Sequence, residues 1–272
     1  MNKWGGILDK RYLGALILAP FVIFIFLGGI YLKYGIMLLS ILGLFEFYKV
    51  SRVRGVKPLN IAAYLLTIFY YVIINTKYDI NKFIPIALLV LLILMCIPVI
   101  DVKFTYFDVA ITVLGFLYVP VLFSAIPLVN GKEYGKYLVW LIFISSWLCD
   151  TAAYYTGRFF GKRKLCPKVS PKKTVEGSLG GVLGSVLGCA VYGFILNHFV
   201  LDIPMYHYLA IGLISGILCQ FGDLTASSIK RNSNVKDYSN LIPGHGGILD
   251  RFDSILFSGA VVYYYLTYII GL

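Results

Sequence analysis

Apolar residues run along this chain in blocks of a length suited to crossing a bilayer, separated by short polar or Gly/Pro-rich breaks. A helix needs about 20 mostly apolar residues to span a hydrocarbon core of roughly 30 Å. Dividing the sequence at its breaks predicts nine spans: Leu13 to Ile30, Tyr34 to Val50, Leu59 to Asn75, Phe83 to Ile100, Thr105 to Val129, Tyr137 to Gly157, Gly177 to Val200, Met205 to Ala226 and Asp250 to Ile270. The expected fold is an all-α polytopic integral membrane protein. No break is long enough for a soluble domain with its own core, and no internal repeat is visible. Residues 1–272 are therefore expected to form a single membrane domain, with N-terminal helices over 1–136 and helices and loops carrying an active site over 137–272. The first span follows Lys10 and Arg11 but has no convincing small-residue cleavage site after it, so it is expected to be a retained anchor.

Composition strengthens this reading. The 272 residues are 59% hydrophobic and 14% charged, against about 25% charged in an average soluble domain, and the mean hydropathy is +0.83. Disorder, collagen and a secreted disulfide scaffold are excluded by the same figures. Five cysteines, Cys96, Cys149, Cys166, Cys189 and Cys219, show no CxxC pairing, so neither a disulfide framework nor a zinc site is expected.

A formal net charge of +11 would suggest nucleic acid in a soluble chain. Here the placement of the cations decides otherwise. With nine spans, 19 of the 24 Lys and Arg fall on the side of the N-terminus and 5 on the other, so the positive-inside rule predicts a cytoplasmic N-terminus and an external C-terminus. The partners expected are anionic lipid headgroups and anionic substrates, with no nucleic acid.

Acids at membrane depth cost several kcal/mol each unless paired, hydrated or functional. Glu46, Asp108, Asp150, Asp223, Asp250 and Asp253 all approach the cation-rich face in this topology, which points to a hydrated cavity open to the cytoplasm. For Glu46 and Asp108, which have no polar neighbours in sequence, neutralisation of loop cations is as good an explanation.

Two segments look specialised for phosphate chemistry. From Gly157 to Gly177 seven cations stand among three glycines, which let backbone N–H groups approach a phosphate, and the cluster Ser170-Pro171-Lys172-Lys173-Thr174 leads into the next span, where a helix N-terminus favours an anion. The second runs from Asp223 through Ser227, Lys230, Arg231 and Lys236 to His245, Asp250, Arg251 and Asp253. Asp223, Ser227 and Lys230 share one helix face if that helix continues so far. Carboxylates converging from two helix ends, Asp223 with Asp250 and Asp253, suit Mg²⁺, which takes one or two carboxylates plus substrate phosphates. His245, between glycines, has the chemistry to contact phosphate or accept a proton, though a plain hydrogen-bonding role in the loop is the simpler reading.

At these residues the chain resembles a known family. The run Ser227-x-Ile229-Lys230-Arg231, Lys236-Asp237, Pro243-x-His245-Gly246-Gly247, Asp250-Arg251-x-Asp253 looks like the signature of phosphatidate cytidylyltransferases, also called CDP-diacylglycerol synthases. Asp150-x-x-Ala153-Tyr154-x-x-Gly157-Arg158 and Ser170 to Gly177 resemble its upstream motifs. The resemblance implies a polytopic, Mg²⁺-dependent enzyme that joins CTP and phosphatidic acid into CDP-diacylglycerol and pyrophosphate, in the cytoplasmic membrane of a bacterial-type cell. It further implies catalytic roles for Asp223, Asp250 and Lys230, metal binding by Asp223, Asp250 and Asp253 with room for a second cation, and substrate binding by Ser170, Lys172, Lys173, Thr174, Ser227, Arg231, Lys236, His245 and Arg251. A homodimer is left open. The alternatives are a CTP-dependent lipid kinase of the same superfamily and, from another class, a secondary transporter, for which inverted repeats and a midplane site would be expected.

Overall fold

The computed structural model describes residues 22–74, 80–244 and 246–272, with backbone alone for 80–85. Helices α1 (Gly29–Arg52), α2 (Asn60–Ile73) and α3 (Ile80–Ile100) are followed by α4 (Tyr106–Asn130) and α5 (Gly135–Phe160). Strands β1 (Lys164–Cys166) and β2 (Ser170–Thr174) precede α6 (Val175–Phe199), α7 (Met205–Asn232) and α8 (Leu249–Ile270). Among the described residues, α1, α4, α5, α6, α7 and α8 are long and apolar enough to cross a membrane, while Asn60–Ile73 and Ile86–Ile100 are shorter apolar helices. Half of the first predicted span, Leu13 to Ile30, lies outside the described residues, which begin at 22. The expectation of a purely helical chain needs one correction: the cation-rich loop folds as an antiparallel hairpin, Lys164 opposite Thr174 and Cys166 opposite Ser170. The turn at 167–169 reverses the chain so that Lys164–Cys166 and Ser170–Thr174 pair their backbone groups as a ladder.

The chain divides into two compact units. One runs to Leu128 and includes Ser233–Asp250; the other comprises Val129–Asn232 and Arg251–Leu272. Within the first, polar side chains are spent on backbone groups that lipid could not satisfy. Pro120 sits in a π-helical turn of α4, Leu117–Val121, where its ring removes a ladder donor. The Pro120 carbonyl accepts from the Tyr71 hydroxyl at 3.1 Å, and Tyr71 also bonds Ser40 at 2.8 Å. Lys33 donates to the carbonyls of Val72 and Ile74 at the end of α2.

The second unit is organised around a close approach of α5 and α6. A Cβ added to Gly184 would come within 2.5 Å of the Ala152 Cβ, and one at Gly181 within 3.0 Å of the Cys149 carbonyl oxygen. Such small-residue faces let helix backbones meet where lipid offers no hydrophobic drive for association. On the other side of α6, Gly212 and Gly216 of α7 pack against Val186, Val182 and Ser185.

Candidate active site

Phosphate-rich substrates need cations held near carboxylates, and the second unit supplies both from its helix ends. Thr174 closes β2 and caps α6, its hydroxyl accepting from the Gly177 N–H at 3.1 Å. The first-turn carboxylate of Glu176 accepts from the N–H groups of Lys162 at 3.0 Å and Arg163 at 3.2 Å. The hairpin is thereby fixed over the end of α5. Gly157 and Gly177 are required by packing: a Cβ at Gly177 would lie 2.8 Å from the Ala153 carbonyl oxygen and 3.1 Å from the Gly157 Cα.

This arrangement leaves a cavity of about 380 Å³ lined by Asp150, Ala153, Tyr154, Gly157, Arg158 and Leu165, by Lys172 to Thr174 of the hairpin, by Gly177 and Ser178 of α6, and by Gln220 and Asp223 of α7. Lys173 Nζ and Asp223 Oδ2 form an ion pair at 2.5 Å. Helix α7 runs past the expected end of its span at Ala226 to Asn232, which meets the condition for Asp223, Ser227 and Lys230 to share one face, and the Ser227 hydroxyl donates to Asp223 Oδ1 at 3.3 Å. Asp253 on α8 lies within electrostatic reach of Asp223, Lys230 and Asp150, and its carboxylate accepts the Ser254 N–H at 2.8 Å. Ser254 in turn donates to Asp150 at 3.4 Å. Three carboxylates and two cations thus gather from α5, β2, α7 and α8.

Sequence reading quoted Asp150 within a motif but gave it no role, and overlooked Gln220. The signal available for both was a polar residue inside an otherwise apolar span. Of the expected substrate-binding residues, Lys172, Lys173 and Thr174 line the cavity. Ser170 pairs with Cys166 at the far end of the hairpin, and Arg231 and Arg251 are exposed on α7 and α8.

The first unit holds the other part of the motif. Asp250 opens α8, and its Oδ2 accepts from the N–H groups of Tyr238 and Gly247, each at 2.9 Å. Glu46, fully buried on α1, accepts from the Ser239 hydroxyl at 2.5 Å and from the N–H groups of Ile248 and Leu249 at 2.9 Å. It ties the middle of the loop at Ser239 to the start of α8, just after the exposed Lys236 and Asp237. A Cβ at Gly247 would press to 2.7 Å from the Glu46 carboxylate, so the second glycine of the His245-Gly246-Gly247 run is a packing requirement. His245 itself lies outside the described residues. Asp108 completes a capping box with Thr105 at the start of α4 and accepts the Lys57 N–H at 2.5 Å; it is a structural acid.

A model of the cytidylyltransferase family matches residues 9–269. The chain belongs to the cytidylyltransferase family. Its similarity extends to proteins named phosphatidate cytidylyltransferase: 33% identity over 178 residues with one from Bacillus subtilis, covering 65% of each chain, and 39% over 131 residues with one from Haemophilus influenzae, covering 46% of this chain and 44% of that one. With a relative from Staphylococcus epidermidis the identity is 33% over 238 residues, 85% of this chain and 87% of the other. The aligned stretch therefore spans just under two thirds of the Bacillus protein's length and under half of the Haemophilus protein's. The membership covers both units, and with them both halves of the motif that carried the resemblance.

Proposed function

We propose that the chain is a phosphatidate cytidylyltransferase, transferring the cytidylyl group of CTP to phosphatidic acid to give CDP-diacylglycerol and pyrophosphate. The observation that carries this reading is the cavity in which Lys172, Lys173 and Arg158 stand beside Asp150 and Asp223 at helix ends, in a chain of this family. Both substrates are anionic and one is a lipid, so a cationic pocket at the end of membrane-length helices matches their chemistry. We assign the site to the cytoplasmic face of a bacterial-type cell membrane, with nine spans, a cytoplasmic N-terminus and an external C-terminus, on the 19-to-5 distribution of cations.

A divalent ion fits the donor set. Asp223 and Asp253, with Asp150 beside them, offer hard carboxylate oxygens from three helices. Among the described residues no three His, Cys, Asp or Glu form a ligand set on their own, as expected where phosphate oxygens complete the coordination of Mg²⁺. Asp223 and Asp253 would hold the ion; Asp250 keeps its assignment as a ligand through the resemblance alone. Bound Mg²⁺ would offset charge developing on the phosphates and leaving pyrophosphate.

The chain's own groups do the rest. Lys173 pairs with Asp223; a triphosphate competes for this ammonium and frees the carboxylate. Lys172 and Arg158 hold further phosphate oxygens, with the guanidinium suited to bidentate contact. Lys230, buried on α7, lies within electrostatic reach of Asp253. A phosphatidate oxygen attacks the α-phosphorus in line, the bond to the bridging oxygen of the β-phosphate breaks, and no protein nucleophile is needed. Positioning and charge compensation supply the catalysis.

The test uses purified protein, phosphatidic acid, Mg²⁺ and CTP labelled separately at the α- and γ-phosphates. The α-label should enter the lipid with release of pyrophosphate, and chelation of Mg²⁺ should abolish the reaction until the ion is restored. Label from γ in the lipid would establish a lipid kinase instead, and undiminished transfer in chelator would remove the metal.

A further inference from the structure

Gln220 is 7% exposed and lines the cavity from α7, one turn before Asp223. Its amide nitrogen donates to the Ser178 carbonyl at 3.0 Å and to the Gly216 carbonyl at 2.9 Å. Those are the two protons the group possesses. Since both partners are acceptors only, the amide cannot be turned over without setting oxygen against oxygen. Its Oε1 is therefore a fixed, neutral acceptor in a pocket whose other polar groups are charged or are hydroxyls, those of Tyr154, Thr174 and Ser178, which can rotate to donate as readily as accept.

The cavity around it has two kinds of wall. Lys172, Lys173 and Arg158 provide cations, whereas Ala153, Gly157 and Gly177 present backbone and almost no side chain, with Leu165 and Tyr154 adding apolar and aromatic surface. A flat ring fits against the second wall while a phosphate chain reaches the first. About 380 Å³ falls within the range of small-ligand pockets, roughly 300–1,000 Å³.

We infer that this cavity takes the pyrimidine ring of the nucleotide and that Gln220 Oε1 reads the exocyclic amine at its 4-position. The inference rests on the proposed cytidylyl transfer and names the specificity-determining residue of that reaction. An amine donates to the fixed acceptor. A 4-keto ring, as in UTP, brings a second oxygen against it, and a ring lacking any 4-substituent leaves it unpaired. Asp150 and Asp223 are poorer readers of a neutral amine: the first accepts from Ser254, and the second, once a triphosphate draws Lys173 away, is the carboxylate assigned to the metal ion.

The experiment compares CTP, UTP and the 4-deamino analogue of CTP as substrates for the purified full chain and for Gln220→Met, which keeps the length and apolar bulk of the side chain. For the unaltered protein the analogue should show a KM about tenfold to a hundredfold above that of CTP with kcat less affected, as for the loss of one buried hydrogen bond, and UTP should be worse. For Gln220→Met, CTP and the analogue should have the same KM. If Gln220→Met discriminates between them as strongly as the unaltered protein does, another residue reads the base. Should the variant fail to fold, the unaltered protein alone decides: equal KM for CTP and the analogue overturns the inference. No cytidylyl transfer from CTP by the unaltered protein would instead sink the underlying reading of function.

Discussion

Glu46 has only apolar and aromatic residues around it in sequence, yet its partners, Ser239, Ile248 and Leu249, lie about two hundred residues away along the chain. Glu46→Ala would leave two backbone donors and a hydroxyl without an acceptor. At about 1–3 kcal/mol for each buried group left unsatisfied, the two buried N–H groups alone should cost the variant on the order of 2–6 kcal/mol of stability, seen as a lower thermal midpoint in detergent. Glu46→Gln retains one acceptor oxygen and should lose less than half as much. A Glu46→Ala protein as stable as the original would show that the loop is held by other means. Asp223 is the opposite case, half-exposed and facing cations. Asp223→Ala should reduce turnover by about 10²-fold or more, as for loss of a group acting on transition-state charge, with the melting profile little changed. Asp108→Ala, which removes a cap and the acceptor of the Lys57 N–H, should cost about 1–3 kcal/mol and leave turnover per folded molecule intact; comparing the two variants by kcat and thermal midpoint separates site from scaffold.

Among the elements, the α5–α6 pair sets the geometry of the site. Ala153 and Gly157 line the cavity from α5 and Gly177 and Ser178 from α6, so any change in their separation moves both walls. Gly184, two turns below Gly177, fits against Ala152 and the Leu148 carbonyl oxygen, where a Cβ would come within 2.8 Å. Gly184→Leu should force the helices apart at a cost of about 1–3 kcal/mol or more, giving aggregated or low-yield protein by size-exclusion chromatography in detergent. Gly184→Ala should be milder but still destabilising, since its methyl meets the Ala152 Cβ at 2.5 Å and a backbone oxygen at 2.8 Å, which can yield only if the two helices move. A fully monodisperse Gly184→Leu protein of normal activity would mean that this contact is dispensable. The hairpin is the other element on which the site depends, because it presents Lys172 and Lys173 through β2 and is anchored by Thr174 and Glu176.

For the whole molecule the testable consequence is sidedness. Single cysteines in the Arg158 to Lys173 segment, and separately in the Arg231 to Leu249 segment, on a background without the native five, should resist an impermeant thiol reagent in intact cells and react in inverted vesicles. Labelling of either from outside would reverse the proposed orientation. Much of this protein could be read from one dimension: long apolar blocks fix membrane-length helices because backbone groups in lipid must pair within their own segment, and Thr174-x-x-Gly177 and Asp223-x-x-x-Ser227 act through neighbours at helical spacing, so their contacts follow from local geometry. Asp253 also came from the sequence, as a motif acid. What the sequence could not decide was the use to which each acid is put. Glu46, Asp108 and Asp150 are alike as carboxylates in apolar surroundings; one locks a distant loop, one caps a helix and one opens into the cavity. Likewise the motif glycines at 157, 177 and 247 suggested room for phosphate, whereas the structure shows backbone and side-chain contacts that admit no Cβ. These distinctions depend on partners brought together by tertiary packing, and burial and hydrogen bonding are properties of that neighbourhood rather than of the residue.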